Sequence, residues 1–149
     1  MKNKKIINTI FVLFVLFSTN LLAAQNDFFI KGKNLFEKKD LDKSKVFFER
    51  DLVFNPKSEK SYLYLAKIFK EKEKDIQEEH NLNSVLVLNP QNEEAIYLMT
   101  LLKIKQSNYS EARELIERFD LVCKLFCFKK KEVKEKFEKL IPENEKSNN

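Results

Sequence analysis

The sequence predicts an all-α fold of stacked helical hairpins, and three observations carry that prediction. Leu52-Val53-Phe54-Asn55-Pro56 returns as Leu86-Val87-Leu88-Asn89-Pro90, so the two Asn-Pro steps stand 34 residues apart. The 149 residues include only one Gly and three Pro, so little interrupts helix formation. Large apolar residues also recur every three or four positions, the spacing of one helix face. The length suits one domain.

Each Asn-Pro reads as a joint. Proline lacks the N–H that the preceding turn needs, and it drives the residue before it out of the helical region. The same ring suits the first turn of a following helix. The sequence therefore predicts that a helix ends, the chain turns and a new helix begins around Pro56 and Pro90.

Met1 to Ala24 reads as a secretory signal peptide. Lys2, Lys4 and Lys5 form a positive start, Ile10 to Phe17 is an unbroken apolar run, and the segment ends in small residues. Cleavage after Ala24 is the favoured reading. The alternative is an uncleaved anchor, although Asn8, Thr9, Ser18, Thr19 and Asn20 interrupt what would have to be a span of about 20 apolar residues. Removing three of the 28 basic residues leaves an excess of two over the 23 acidic ones. That balance gives no reason to expect a nucleic-acid partner.

The helical domain is expected over residues 25–141. Asp27 to Lys39 forms the first helix and Leu41 to Phe54 its partner, with Asp40 in the turn. Ser58, with Ser61 as the alternative, caps the third helix. Tyr62, Leu65, Ala66 and Phe69 form its inner stripe. The charged run Lys70 to Glu79 reads as a solvated turn and helix face. Ile76 to Leu88 forms the fourth helix. Gln91-Asn92-Glu93 opens the fifth, with carboxylates where the helix dipole favours them. Asn108 precedes a sixth helix running to about Phe119.

A closing helix is expected at about 128–141. Within it Val133, Phe137, Leu140 and Ile141 form a narrow apolar stripe in charged surroundings. A stack of hairpins needs such an end, apolar inside and polar outside. Its lysines could instead touch an anionic membrane, but the stripe is thin for that role. Residues 142–149 read as a disordered polar tail.

Counted in a 34-residue frame starting at Gln25, Glu59 and Glu93, equivalent positions agree in size. The first helices carry Phe28, Gly32 and Leu35; then Tyr62, Leu65, Ala66 and Phe69; then Ile96, Met99 and Thr100. The second helices carry Ser44, Glu78 and Ala112 at one shared position and Phe48, Leu82 and Ile116 at another. Small residues fall where two helices must cross closely. This pattern resembles the tetratricopeptide repeat (TPR) family over about three repeats, 25–58, 59–92 and 93–124. Departures are Glu78 and Asp51 where the family favours a small residue, Lys103 where it favours an apolar one, and Lys124 in place of a third proline. Glu78 is expected either to reach solvent along its stem or to loosen its helix pair.

The resemblance implies an all-α, TPR-like α-solenoid of about three helix-turn-helix repeats with a C-terminal capping helix. It further implies a groove lined by the first helix of each repeat. At the equivalent positions stand Phe29, Leu63 and Tyr97; Lys33, Lys67 and Leu101; and Phe36, Lys70 and Ile104. An apolar track beside a row of lysines suits a protein or peptide segment with apolar anchors and acidic residues. The competing reading is that the capping helix covers part of this track. A carboxylate-gripping set known in some family members is not reproduced by Phe29, Lys33 and Lys67.

No residues converge in the way catalysis requires. His80, the single histidine, lies on a polar stretch and is expected to face solvent. Cys123 and Cys127 stand four apart. An oxidising compartment invites a disulfide, but on a regular helix that spacing bridges poorly, so a bridge requires the chain to turn there. The favoured reading is two buried thiols among Leu121, Val122, Leu125, Phe126 and Phe128. The sequence thus predicts a non-catalytic adaptor without metal or cofactor, exported to the periplasm or cell envelope. The alternative is a structural subunit held in the membrane by an uncleaved N-terminal helix. Membrane contact is expected only in that second case. A small hydrolase or redox enzyme is the remaining, disfavoured class.

Overall fold

The computed structural model describes residues 27–142. The expected signal segment and the tail beyond Pro142 lie outside these residues. Seven α-helices and one short 3-10 turn make up the described chain. It divides into two compact units, the first ending at Ser61 and the second beginning at Tyr62.

The first unit holds α1, described over 27–37, and α2, Leu41–Phe54. Asp40 caps α2 by accepting a hydrogen bond from the Lys43 amide at 3.3 Å. Phe48 is fully buried. A Cβ added to Gly32 would lie 2.9–3.1 Å from three carbons of the Phe48 ring, so only glycine lets the two helices come this close. Beside that contact Ser44 Oγ donates to the Gly32 carbonyl at 2.8 Å. Asp51, another departure from small-residue patterning, is buried but accepts a hydrogen bond from Ser61 Oγ. The polar substitution is tolerated because it has a partner.

Helix α3, Glu59–Glu71, opens in the first unit and continues into the second. There follow α4, Asp75–Leu88; α5, Glu93–Lys105; α6, Tyr109–Val122; a 3-10 turn, Cys127–Lys129; and α7, Lys130–Leu140. Helix α5 packs against α4, α6 and α7, and α6 packs against α7. Helix α5 is apolar nearly all round, from Ala95 to Thr100 without an exposed residue, as a helix enclosed by neighbours must be. Ala66, Leu82, Val85, Ile96, Met99, Leu115 and Phe119 belong to its continuous core.

The joints end helices as expected, with one difference. Helices α2 and α4 stop at Phe54 and Leu88, and the Asn55 and Asn89 amides close the last turn. The next helices begin only at Glu59 and Glu93. Pro56 and Pro90 therefore sit in the connecting turns and not in the first turn of the following helix. Asn92 caps α5 by accepting from the Ala95 amide at 2.8 Å, and Asn108 caps α6 through the Glu111 amide.

The turns inside the hairpins hold a feature the sequence did not disclose. Lys39, Glu73 and Ser107 have φ of 61°, 54° and 58°, and each stands 34 residues after the last. Asp40, Lys74 and Asn108 then donate back to the carbonyls of Leu35, Phe69 and Lys103 at 2.9–3.0 Å. This is the Schellman ending, which favours glycine at the left-handed position. None of the three is glycine.

Three further expectations are corrected. Of the two outcomes expected for Glu78, reaching solvent is excluded, since it is 3% exposed. Burial pushes its carboxyl up to about 7, against the pull of Lys70, with Asp75 adding to the rise and Lys105 opposing it. Helix α6 runs beyond Phe119 to Val122. In α7, Val133 is buried and Ile141 beyond its end is too, while Phe137 meets Tyr109 edge-on at 6.3 Å. Leu140, assigned to the inner stripe, is half exposed instead. The helix ends at Leu140, and Ile141, in extended backbone, turns inward in its place.

Candidate partner-binding surface

The residues expected to line a groove fall into two groups. In the first unit Phe29, Lys33 and Phe36 are all half-buried. Phe29 packs its ring 5.7 Å from that of Phe48. Lys33 pairs loosely with Glu37 one turn on, at 3.7 Å.

In the second unit the apolar members of the set are mostly enclosed. Leu63, Tyr97 and Ile104 are buried, and only Leu101 is half-exposed. Tyr97 shows why. Its ring lies about 6 Å from those of Phe119 and Phe126. Its hydroxyl donates to Glu132 Oε1 on α7 at 2.8 Å. The Lys129 ammonium sits 5.4 Å above its ring and 2.7 Å from Glu132 Oε2. Hydrogen bonds from Lys129 and then Tyr97 hold the Glu132 carboxyl down at about 2. The closing helix and the turn before it thus cover α5 at this point, the arrangement weighed against an open groove.

The lysines remain accessible. Lys67 spans from α3 to α5, with Nζ 2.6 Å from Glu94 Oε1 and 4.9 Å from the Tyr64 ring centroid. Lys70 is exposed. Partial desolvation, with Lys136 nearby, holds its amine below its usual value despite Glu78, Glu132 and Glu71. What the second unit offers is therefore a charged surface with Leu101 as its apolar contact, not a continuous apolar track.

Lys103, the misfit in the repeat pattern, is buried and sits on a carboxylate pair. Its Nζ lies 2.7 Å from Glu79 and 3.0 Å from Glu111. Burial opposes its charge, but the two carboxylates outweigh it and raise the amine above its ordinary value. Between α6 and α7 lies an open cleft of about 400 Å³ whose lining includes Arg113, Ile116, Phe137 and Ile141. Asp120 at its edge faces Lys130 and Lys134 at 3.4 and 2.6 Å.

Cys123 and Cys127 are bridged, which overturns the reading of two buried thiols. The chain leaves α6 at Val122, and the Cα atoms come to 5.3 Å. Cys127 is exposed, as are Leu121, Leu125 and Phe128 among the apolar residues expected to surround it. His80 is exposed. Among the described residues no group of three or more His, Cys, Asp or Glu is placed to hold a metal ion. No described helix is long and apolar enough to cross a membrane.

Comparison with known proteins gives likeness of fold. No protein-family model matches the sequence and no curated protein does. Solved structures match well. The TPR domain of Arabidopsis OM64 superposes with a TM-score of 0.73 at 17% identity, covering 81% of this chain and 99% of that one. The Sgt2 TPR domain from Aspergillus fumigatus gives 0.65 at 14% identity, with 77% and 80% covered. A chain of the CopN–Scc3 complex gives 0.63 at 19% identity, with 79% and 69% covered. The fold is all-α and TPR-like.

Proposed function

We propose that this protein is a non-catalytic TPR-like adaptor that binds a protein or peptide partner, exported to the cell envelope. The observation that carries the reading is the likeness of fold to TPR domains over nearly the whole of the OM64 domain. A repeat fold by itself hosts many roles, so the step to binding also needs a surface. Each unit supplies first-helix side chains of its own: Phe29, Lys33 and Phe36 in the first, and Lys67, Lys70 and Leu101 in the second. Leu63, Tyr97 and Ile104, being buried, serve the core. Lysines beside partly exposed apolar groups suit a segment with acidic residues and apolar anchors.

The test is capture of a partner by cross-linking in native envelopes, followed by affinity measurement with variants. Lys33→Glu in the first unit and Leu101→Ser in the second, made separately, should weaken binding about ten-fold wherever that unit makes the contact, while helicity and melting stay unchanged. Equal binding by both folded variants removes these surfaces from the account. Export is tested separately by mass spectrometry of the native N-terminus. A start near Gln25 supports a cleaved signal, and an intact Met1 end supports the tethered alternative.

A further inference from the structure

The end of α6 and the turn that follows it expose three large apolar side chains within eight residues. Leu121 is 86% exposed, Leu125 84% and Phe128 70%. Solvent-facing residues of this size normally appear singly, and a cluster of them marks a contact site. The cleft between α6 and α7 is lined by none of the three. They are protruding groups and do not form the walls of that cleft.

The turn is nevertheless held firmly. The Cys123–Cys127 bridge closes it. The amides of Lys124, Leu125 and Phe126 all donate to Glu93 Oε2, at 2.7, 2.9 and 2.8 Å. The Cys123 amide donates to the Phe119 carbonyl and the Lys129 amide to the Phe126 carbonyl. Phe126 roots the turn in the unit, its ring 6.2 Å from Tyr97 and 5.5 Å from Phe128. Backbone groups already paired within the protein are what a segment needs before it can leave water for an apolar phase, because an unpaired N–H there costs several kcal/mol.

The surrounding charge selects the phase. From Asp120 to Ile141 there are seven lysines against three glutamates and one aspartate. Lys129, Lys130, Lys131, Lys134 and Lys136 are ion-paired within the protein, and the net charge of the stretch is still positive. Exposed Lys124 lies inside the turn itself, and the Lys129 amine stands 5.7 Å from the Phe128 ring. Long lysine stems let the apolar tips descend while the ammonium groups stay at headgroup level. Polybasic surroundings draw such a tip to anionic lipid.

We propose that the Leu121–Phe128 segment, the end of α6 with the turn after it, is an interfacial anchor that places Leu121, Leu125 and Phe128 into the headgroup–acyl boundary of an anionic bilayer. This contact needs no N-terminal membrane helix, and it uses none of the residues assigned to partner binding. The chain has no Trp, so Phe128→Trp in the full-length protein reports on this one place whatever the N-terminal segment does. With vesicles containing phosphatidylglycerol, the indole emission should shift to the blue and be quenched by brominated acyl chains. Pure phosphatidylcholine vesicles should produce neither effect. Adding Leu125→Ser should lower the partition coefficient read from that indole about ten-fold. Unchanged emission on anionic vesicles overturns the proposal, as does insertion insensitive to Leu125→Ser. A blue shift that grows with protein concentration in the absence of lipid also overturns it, since a second copy then covers the turn.

Discussion

The Phe126 amide lies 2.8 Å from Glu93 Oε2, joining the first residue of α5 to a turn 33 residues later. The same oxygen takes the amides of Lys124 and Leu125. One carboxylate thus satisfies three consecutive donors that follow the end of α6, where the chain has no helical carbonyl to offer them. The Phe126 hydrogen bond, with those of Lys124 and Leu125, holds the Glu93 carboxyl below its ordinary value.

Glu93→Ala should therefore speed hydrogen exchange at amides 124–126 by about ten-fold or more, with little change in the middle of α6. In the wild-type protein the contribution of this carboxylate is present above the ordinary glutamate range. It should fade only as pH falls through the lowered value, because a depressed folded pKa means the unfolded chain binds the proton more tightly. Exchange measured by mass spectrometry between neutral and acid pH would show it. Equal protection in the Ala variant would mean these amides are protected by something other than Glu93.

Gly32→Ala weighs two opposed effects. Alanine gains about 1 kcal/mol over glycine inside a helix. The new methyl would stand 2.9–3.1 Å from the ring of Phe48, which is fully buried and has no room to retreat. Overpacking of this kind costs about 1–3 kcal/mol, so a net loss of about 1 kcal/mol is expected in urea unfolding. The companion change Phe48→Leu should soften the clash, and the pair should be less than additive.

Glu73→Gly reverses the usual sign for glycine. Glu73 holds φ of 54° in the turn between α3 and α4. A left-handed conformation costs a side-chain-bearing residue about 1–2 kcal/mol, and glycine relieves that while losing somewhat more entropy on folding. A gain of about 0.5–1 kcal/mol is expected. Thermal unfolding would check it, with Glu114→Gly, exposed inside α6, as the control that should destabilise.

Glu78→Gln should stabilise the protein in a pH-dependent way. The folded carboxyl titrates at about 7 and the unfolded one near 4.5. The native state therefore binds the extra proton, so stability is greatest below the unfolded value and is lost as pH rises through about 7. The Gln variant should gain on the order of 2 kcal/mol at pH 8 and little at pH 5. Denaturation at the two values would decide it, and equal gains at both would mean that Lys70 satisfies the carboxylate in full.

The helix pairs were legible because their evidence is local: a repeated Asn-Pro, a scarcity of breakers and small residues at crossings. Ser44, Ala66, Thr100 and Ala112 are fully buried, as their place in the frame implies. What was not legible depends on contacts distant in sequence. Tyr97 reads as a groove residue until Glu132 and Lys129, more than 30 positions later, close over it. Lys39, Glu73 and Ser107 share the repeat period but carry no glycine to announce a left-handed turn. Val53, Val87 and Leu121 also stand 34 residues apart and are 76%, 81% and 86% exposed. Their apolar character is plain in the sequence, but their exposure is not. The bridge at Cys123 and Cys127 depended on where α6 stops, three residues later than expected.

That bridge also changes what damage to the turn would mean. Lys124 lies between the two sulfurs' residues, so a trypsin-like cut after it opens the backbone without releasing either part. The clipped molecule would carry one added water and run as a single species until a reductant is supplied. Intact mass under non-reducing conditions, followed by reduction, would therefore reveal wear at this site that ordinary size analysis conceals.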